Sequence, residues 1–134
     1  MDKVLIDKLA FIEIKDKKLL VTLSKGKDTW YIPGGKREAG ETDTQALVRE
    51  VKEELSVDLD PVTIKKYGVF EAPAHGKPEG TFVQMTCYAA KYKGELHASS
   101  EIEKFDYFIH GQKDLCSAVD HLIMDDLQKK GLIV

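Results

Sequence analysis

Cysteine is scarce in this chain of 134 residues: Cys87 and Cys116 stand far apart, and neither has a CxxC companion. No histidine lies at the short spacing from them that a zinc site uses, so neither zinc nor a disulfide framework organises the fold. Both thiols are expected to be free and mostly buried. A basic excess is missing too. Twenty Lys and Arg against 23 Asp and Glu leave a net charge of −3, which excludes a protein that lives by neutralising the phosphates of a nucleic-acid polymer. No apolar run approaches the roughly 20 residues that span a bilayer, so no membrane partner is expected. The opening MDKVLIDKLAFIEI alternates charge and apolarity, unlike a signal peptide, and a cytoplasmic location is expected. Internal repeats, low-complexity tracts and linkers are absent as well. What remains is 43% hydrophobic and 32% charged residues, the balance of one globular domain over residues 1–134 with enough core to need no staples.

Strands dominate the pattern. The apolar stretches Leu9 to Ile14 and Leu19 to Leu23 flank Lys15-Asp16-Lys17-Lys18 and predict a β-hairpin. Thr29-Trp30-Tyr31-Ile32 predicts a short strand stopped by Pro33-Gly34-Gly35. From Thr42 to Leu55 the period becomes helical, with Thr42 and Gln45 placed for a capping box. Asp58 to Pro61 breaks that helix, and Val62 to Glu71, Thr81 to Tyr92 and Lys104 to Ile109 predict further strands. Leu115, Ala118, Val119, Leu122, Ile123 and Leu127 recur at helical spacing and predict a closing amphipathic helix. The class is α+β, with two helices packed on the strands.

Chemistry concentrates on the first helix. Glu50, Glu53 and Glu54 fall within one arc of roughly 100°, beside the apolar arc of Leu47, Val48, Val51 and Leu55. Carboxylates at i, i+3 and i+4 weaken a helix unless something compensates. A hard divalent cation, Mg²⁺ or Mn²⁺, suits an oxygen-only set; by themselves the acids also fit a solvated face paired with Arg49 and Lys52. Upstream lies a glycine-bearing loop, Gly34 to Thr42, that feeds the helix N-terminus. Its spacing mimics a P-loop, but Glu41 stands where the phosphate-binding lysine belongs, which excludes that assignment. The loop is expected to fold back onto the acidic helix, leaving Lys36 and Arg37 to face an anionic ligand.

Gly35, five residues, Glu41, seven residues, Arg49-Glu50-Val51, one residue, Glu53-Glu54, one residue, Ser56-Val57 resembles the signature of the Nudix hydrolases of the MutT-like pyrophosphohydrolase kind. The match spans residues 35–57 and keeps six of seven fixed residues and both aliphatic positions. Ser56 replaces the usual glycine. Tyr31-Ile32-Pro33-Gly34-Gly35 also resembles the strand and loop that precede the motif in that family.

The resemblance implies an α/β/α sandwich with a mixed sheet, and divalent-dependent attack of water on a phosphorus of a nucleoside diphosphate linked to another group X. It implies Glu50, Glu53 and Glu54 as Mg²⁺ ligands, with Mn²⁺ a substitute and the Gly34 carbonyl a further ligand. Arg49 would orient the acids, and Glu41 would pair with it. The general base is either a helix acid or a later glutamate, with Glu101 the foremost candidate and Glu103 its rival. The small-molecule partner is expected to be a nucleoside triphosphate; the alternatives are an ADP-ribose or dinucleotide substrate, faintly hinted at by Pro73, and a nucleotide-sensing module that does not hydrolyse. Trp30, Tyr31 and Phe70 offer stacking surfaces for a base, and His75 and Lys77, in the loop from Pro73 to Gly80, face an anion. The assembly is a monomer or a homodimer.

Overall fold

The computed structural model describes residues 3–74 and 76–134. In chain order the strands are β1 (Val4–Ile12), β2 (Ile14–Lys15), β3 (Lys18–Ser24), β4 (Trp30–Tyr31) and β5 (Gly34–Gly35), followed by helix α1 (Asp43–Leu55). Then come β6 (Asp58–Leu59), β7 (Lys65–Pro73), β8 (Thr81–Ala89), β9 (Tyr92–Lys93), β10 (Ile102–Phe108) and helix α2 (Ala118–Lys129). One sheet runs β5-β1-β8-β7, a second runs β10-β3-β2 with β4 also on β3, and β6 pairs with β9. The first is mixed: β1 lies parallel to β8, while β5 and β7 pair antiparallel.

A layer of strands separates the two helices. Leu9 and Phe11 of β1 and Leu20 of β3 join Ala46, Leu47, Val51 and Leu55 of α1 in one buried cluster. Ala10 and Ile12, with Leu19 and Val21, join Val119, Ile123, Met124 and Leu127 of α2 in the other. The expected α/β/α sandwich is therefore the fold. Strands buried on both faces read as continuous apolar runs, not alternating ones. That is why LAFI and LLVTL carry no period of two.

The same double burial corrects the predicted hairpin. Only its tip pairs as expected, Ile14 with Leu19 and Lys15 with Lys18, around Asp16 and Lys17, whose φ of 53° and 59° suit a two-residue primed turn. Leu9 to Ile12 pair instead with Thr86 to Ala89, so the chain passes from one sheet to the other near Glu13. Helix α1 ends at Leu55 as its pattern predicts, with Ser56 as its cap. One further correction concerns the second helix. Helix α2 starts only at Ala118, and Leu115 and Leu122 are exposed while Asp120 and Met124 are buried.

Candidate functional site

Helix α1 is built as the sequence predicts. The Thr42 hydroxyl accepts from the Gln45 amide, and the Gln45 side chain accepts from the Thr42 amide, satisfying two donors that the helix start would leave unpaired. Leu47, Val51 and Leu55 are fully buried, each adding about 1.5–3 kcal/mol of anchoring. The acidic face is thereby held against the loop at Gly34 and Gly35.

Arg49 organises that face. Its Nε and Nη2 donate to the two Glu41 carboxylate oxygens at 2.7 and 2.8 Å, a fork in which both partners are planar. Nη1 donates to Glu50 at 3.0 Å and to Glu53 at 3.4 Å, and Nη2 also reaches the Lys36 carbonyl at 3.1 Å. The fork holds the Glu41 carboxyl at about 2, and the surrounding carboxylates push Arg49 further up. The loop thus folds back through Glu41, in the slot where a P-loop would carry lysine.

Glu54, only 6% exposed, accepts from the Gly34 amide at 3.1 Å. Burial lifts its carboxyl to about 8 against that hydrogen bond, with Glu50, Glu101 and Glu53 adding like charge. Burial also raises Glu50, Arg49 opposes it, and Glu53 and Glu101 add to it. Glu101 lies just before β10, and its like charge is among the smaller causes of both shifts. Glu103 sits in the bulge where β10 shifts register against β3.

Among the described residues no three His, Cys, Asp or Glu side chains converge on one point as a finished coordination shell. Arg49 draws Glu50 and Glu53 towards its guanidinium, while Glu54 is turned onto the Gly34 amide. The donor set nonetheless fits a hard divalent cation. It is all oxygen, like charge from Glu50, Glu101 and Glu53 adds to the burial that disfavours the ionised Glu54, and an ion can take the place of the proton there. Space beside Glu50 is kept open by Gly35, where a Cβ would come within 2.7 Å of the carboxyl carbon. At Gly34, φ is +145° and a Cβ would stand 2.0 Å from the Leu9 carbonyl oxygen, so only glycine lets this loop reach both β1 and Glu54.

Two adjoining cavities, about 270 and about 210 Å³, share Lys8, Tyr31 and Met85. The smaller is bordered by Gly34, Gly35 and Glu54. Lys8, Lys36 and Lys77 all line the larger, together with Pro73 and Ser117. Three cations around one hollow suit an anion next to the acidic cluster. Of the expected ligand-facing residues, Lys36, Lys77 and Tyr31 are brought together here, Tyr31 being 40% exposed. His75 lies outside the described residues. Arg37 is not free as expected: it pairs with Asp43 and with Asp7, while Tyr88 donates to Asp43 at 2.6 Å. Trp30 packs on Phe108, with ring centroids 4.9 Å apart, and Phe70 stacks on Tyr67 against the α2 cluster. Both serve packing instead of the cavities.

Sequence reasoning missed Lys8 and Asp120. Lys8 shares a strand face with Ile6 and Ala10, the side turned to α2. A lysine at an inward strand position was the available signal. Burial and Lys36 lower its pKa, opposed by Asp120 and Glu54. The Lys8 ammonium lies 5.9 Å from the Tyr31 ring centroid. Asp120 is fully buried; its Oδ2 accepts from the Ile32 amide at 3.3 Å and the Ser117 hydroxyl at 2.8 Å, and burial lifts it to about 7.

The NUDIX domain family matches residues 9–115. The 8-oxo-dGDP phosphatase NUDT18 of Mus musculus is 41% identical over 56 residues, which make up 40% of this chain and 17% of that protein. The ADP-ribose pyrophosphatase of Methanocaldococcus jannaschii is 33% identical over 97 residues, 70% of this chain and 56% of that protein. The chain thus spans less than two thirds of the length of these curated relatives. The solution structure of the E. coli ORF135 protein superposes with a TM-score of 0.73 at 21% identity, covering 95% of this chain and 91% of the other, and shares the fold. No helix among the described residues is long and apolar enough to cross a membrane. With the family match running from β1 past β10 and through the loop and acidic helix between them, the chain belongs to the NUDIX domain family.

Proposed function

We propose that the chain hydrolyses a nucleoside diphosphate linked to X, with a (d)NTP-type substrate giving a nucleoside monophosphate and pyrophosphate. One observation carries this: the carboxylate face of α1, clamped by the Arg49–Glu41 fork, opens beside a cavity lined by three lysines. Glu50, Glu53, Glu54 and the Gly34 carbonyl would hold Mg²⁺ or Mn²⁺. When bound, such an ion supplies neutralisation and polarisation of the phosphate oxygens, the main need of phosphoryl and nucleotidyl transfer. Nudix hydrolases generally work with divalent cations.

The chain's own residues divide the remaining work. Arg49 fixes the carboxylates, and Glu41 fixes Arg49. Lys8, Lys36 and Lys77 hold the substrate anion, and Tyr31 offers a flat face at the junction of the cavities. Glu101 accepts the proton of the attacking water as the new P–O bond forms and the anhydride P–O bond breaks. Its charge already acts on Glu50 and Glu54.

A second substrate class has its own support. Pro73 lines the larger cavity, and the similarity to the archaeal ADP-ribose pyrophosphatase extends over 70% of the chain. A panel of dGTP, 8-oxo-dGTP, ADP-ribose, NADH and diadenosine polyphosphates, read by phosphate and pyrophosphate release with Mg²⁺, decides between them. Pyrophosphate from a triphosphate supports the first class, and exclusive cleavage of ADP-ribose or a dinucleotide replaces it with the second. Tight Mg²⁺-dependent nucleotide binding with no product would leave a sensing module.

A further inference from the structure

We propose that Ser56 and Ser99 form a positioning pair that locks the Glu101 loop onto the end of the acidic helix. This rests on the assignment of Glu101 to proton transfer. Ser56 occupies the place of the motif's usual glycine and takes the backbone that glycine would, with φ 63° and ψ 23°. Serine is strained in that left-handed region, so a compensating role for its side chain is expected.

The hydroxyl supplies one. Ser56 Oγ donates to Ser99 Oγ at 3.1 Å, and the Ser99 hydroxyl donates in turn to the Glu53 carbonyl. The Ser99 amide donates to the Glu54 carbonyl at 3.0 Å and the His97 amide to the Leu55 carbonyl at 2.9 Å. Residues 97–99 therefore cap three consecutive carbonyls that the helix end would leave open. Two of them belong to Glu53 and Glu54, so the cap is fastened to the backbone of the acids themselves.

The chain then turns at once towards Glu101. Ser100 has φ 57°, the Ile102 amide closes the turn on the Ser99 carbonyl at 3.0 Å, and the Lys25 amide holds the Glu101 carbonyl at 2.8 Å. The Glu101 main chain is thus fixed by Lys25, just past β3, on one side and from α1 through Ser99 on the other, with its side chain left exposed. A glycine at position 56 would keep the backbone path and lose the hydroxyl link. Ser56 and Ser99 act only through Glu101 and need not touch substrate.

The test uses the panel substrate that wild type cleaves fastest, with Ser56→Gly, Ser99→Ala and Glu101→Gln singly and in pairs. Ser56→Gly relieves the strained backbone and should melt no lower than wild type, so its activity is not confounded by unfolding. Each serine variant should lower kcat about threefold to tenfold with KM little changed, and should cost nothing further in the Glu101→Gln background, the mark of residues acting as one unit. Losses that persist undiminished beside Glu101→Gln, or no loss in either serine variant, overturn the pairing while leaving Glu101 in its role. A fully active Glu101→Gln removes both the role and the pairing. Cleavage of no panel substrate removes the hydrolase reading itself and the pairing with it.

Discussion

Replacing Gly35 by alanine separates the site from the fold. Gly35 is outside the left-handed region, so its backbone accepts alanine, and the nearest atoms a Cβ would meet all belong to the Glu50 carboxyl, at 2.7 to 2.8 Å. Ordinary contact begins near 3.4 Å, so the carboxyl must retreat by about 0.7 Å. That movement is cheap for a flexible side chain, and the stability change should stay within about 1 kcal/mol. For a metal ligand it is costly: misplacement on this scale corresponds to roughly 10–100-fold in affinity or rate. Gly34→Ala should do the opposite. Its Cβ would meet the Leu9 main chain at 2.0 Å, which cannot yield without opening the pairing of β1 with β5, and a loss of more than about 3 kcal/mol is expected. Thermal melts and Mg²⁺ titrations of kcat/KM on both variants read the contrast. A Gly35→Ala protein with wild-type Mg²⁺ dependence and turnover would refute the place given to Glu50.

Three other outcomes are expected. Mg²⁺ or Mn²⁺ should raise the melting temperature of wild type by binding the native state, and equal shifts in the Glu50→Gln, Glu54→Gln double variant would put the ion elsewhere. With divalent ions chelated, Asp120 held at about 7 and Glu54 at about 8 keep protons that the unfolded chain releases near pH 4, so stability should decline as pH rises from about 4 to 8. Calorimetry at pH 5, 6, 7 and 8 reads that decline; Asp120→Asn should flatten its part below about pH 7, and a melting temperature that climbs across the range contradicts the burial argument. Lys8→Ala and Lys77→Ala should raise KM with kcat nearly kept, as when uniform binding of an anion is lost; unchanged steady-state constants in both would exclude the larger cavity from substrate binding.

Features written in local spacing were legible in the sequence. Thr42 and Gln45, three apart, gave the helix start, and the spacing of Glu50, Glu53 and Glu54 gave their shared face. The resemblance of the motif led from Arg49 to Glu41, eight residues away. Features that depend on distant pairing were not. Val4–Ile12 lies beside Thr81–Ala89, and nothing in either run names the other. Double burial removed the alternation that would have separated a hairpin from a central strand. Asp120 was hidden inside a helical period, because its partner, the Ile32 amide, lies 88 residues away. Lys8 was passed over for the same reason: its cavity is assembled from β1, β4, β8, the loop after β7 and the start of α2.

Ser56 shows how a departure from the motif can leave its geometry intact. The helix ends in the left-handed turn at Ser56, whose amide donates to the Lys52 carbonyl at 3.0 Å. The Arg49 bonds to Glu50 and Glu53 and the Gly34 bond to Glu54 do not involve Ser56, so the departure by itself gives little support to a module that binds without hydrolysing.

If the carboxylates of α1 hold a divalent cation for catalysis, phosphoanhydride cleavage depends on that ion. Product formation from the nucleotide panel should therefore be followed with Mg²⁺ and with chelator, in wild type, Glu53→Gln and Glu54→Gln. Mg²⁺-stimulated cleavage by wild type, lowered at least about tenfold in each variant, is the predicted result, the scale of losing roughly 1.4 kcal/mol of barrier stabilisation. Cleavage that proceeds equally in chelator, or equally in the variants, would contradict it.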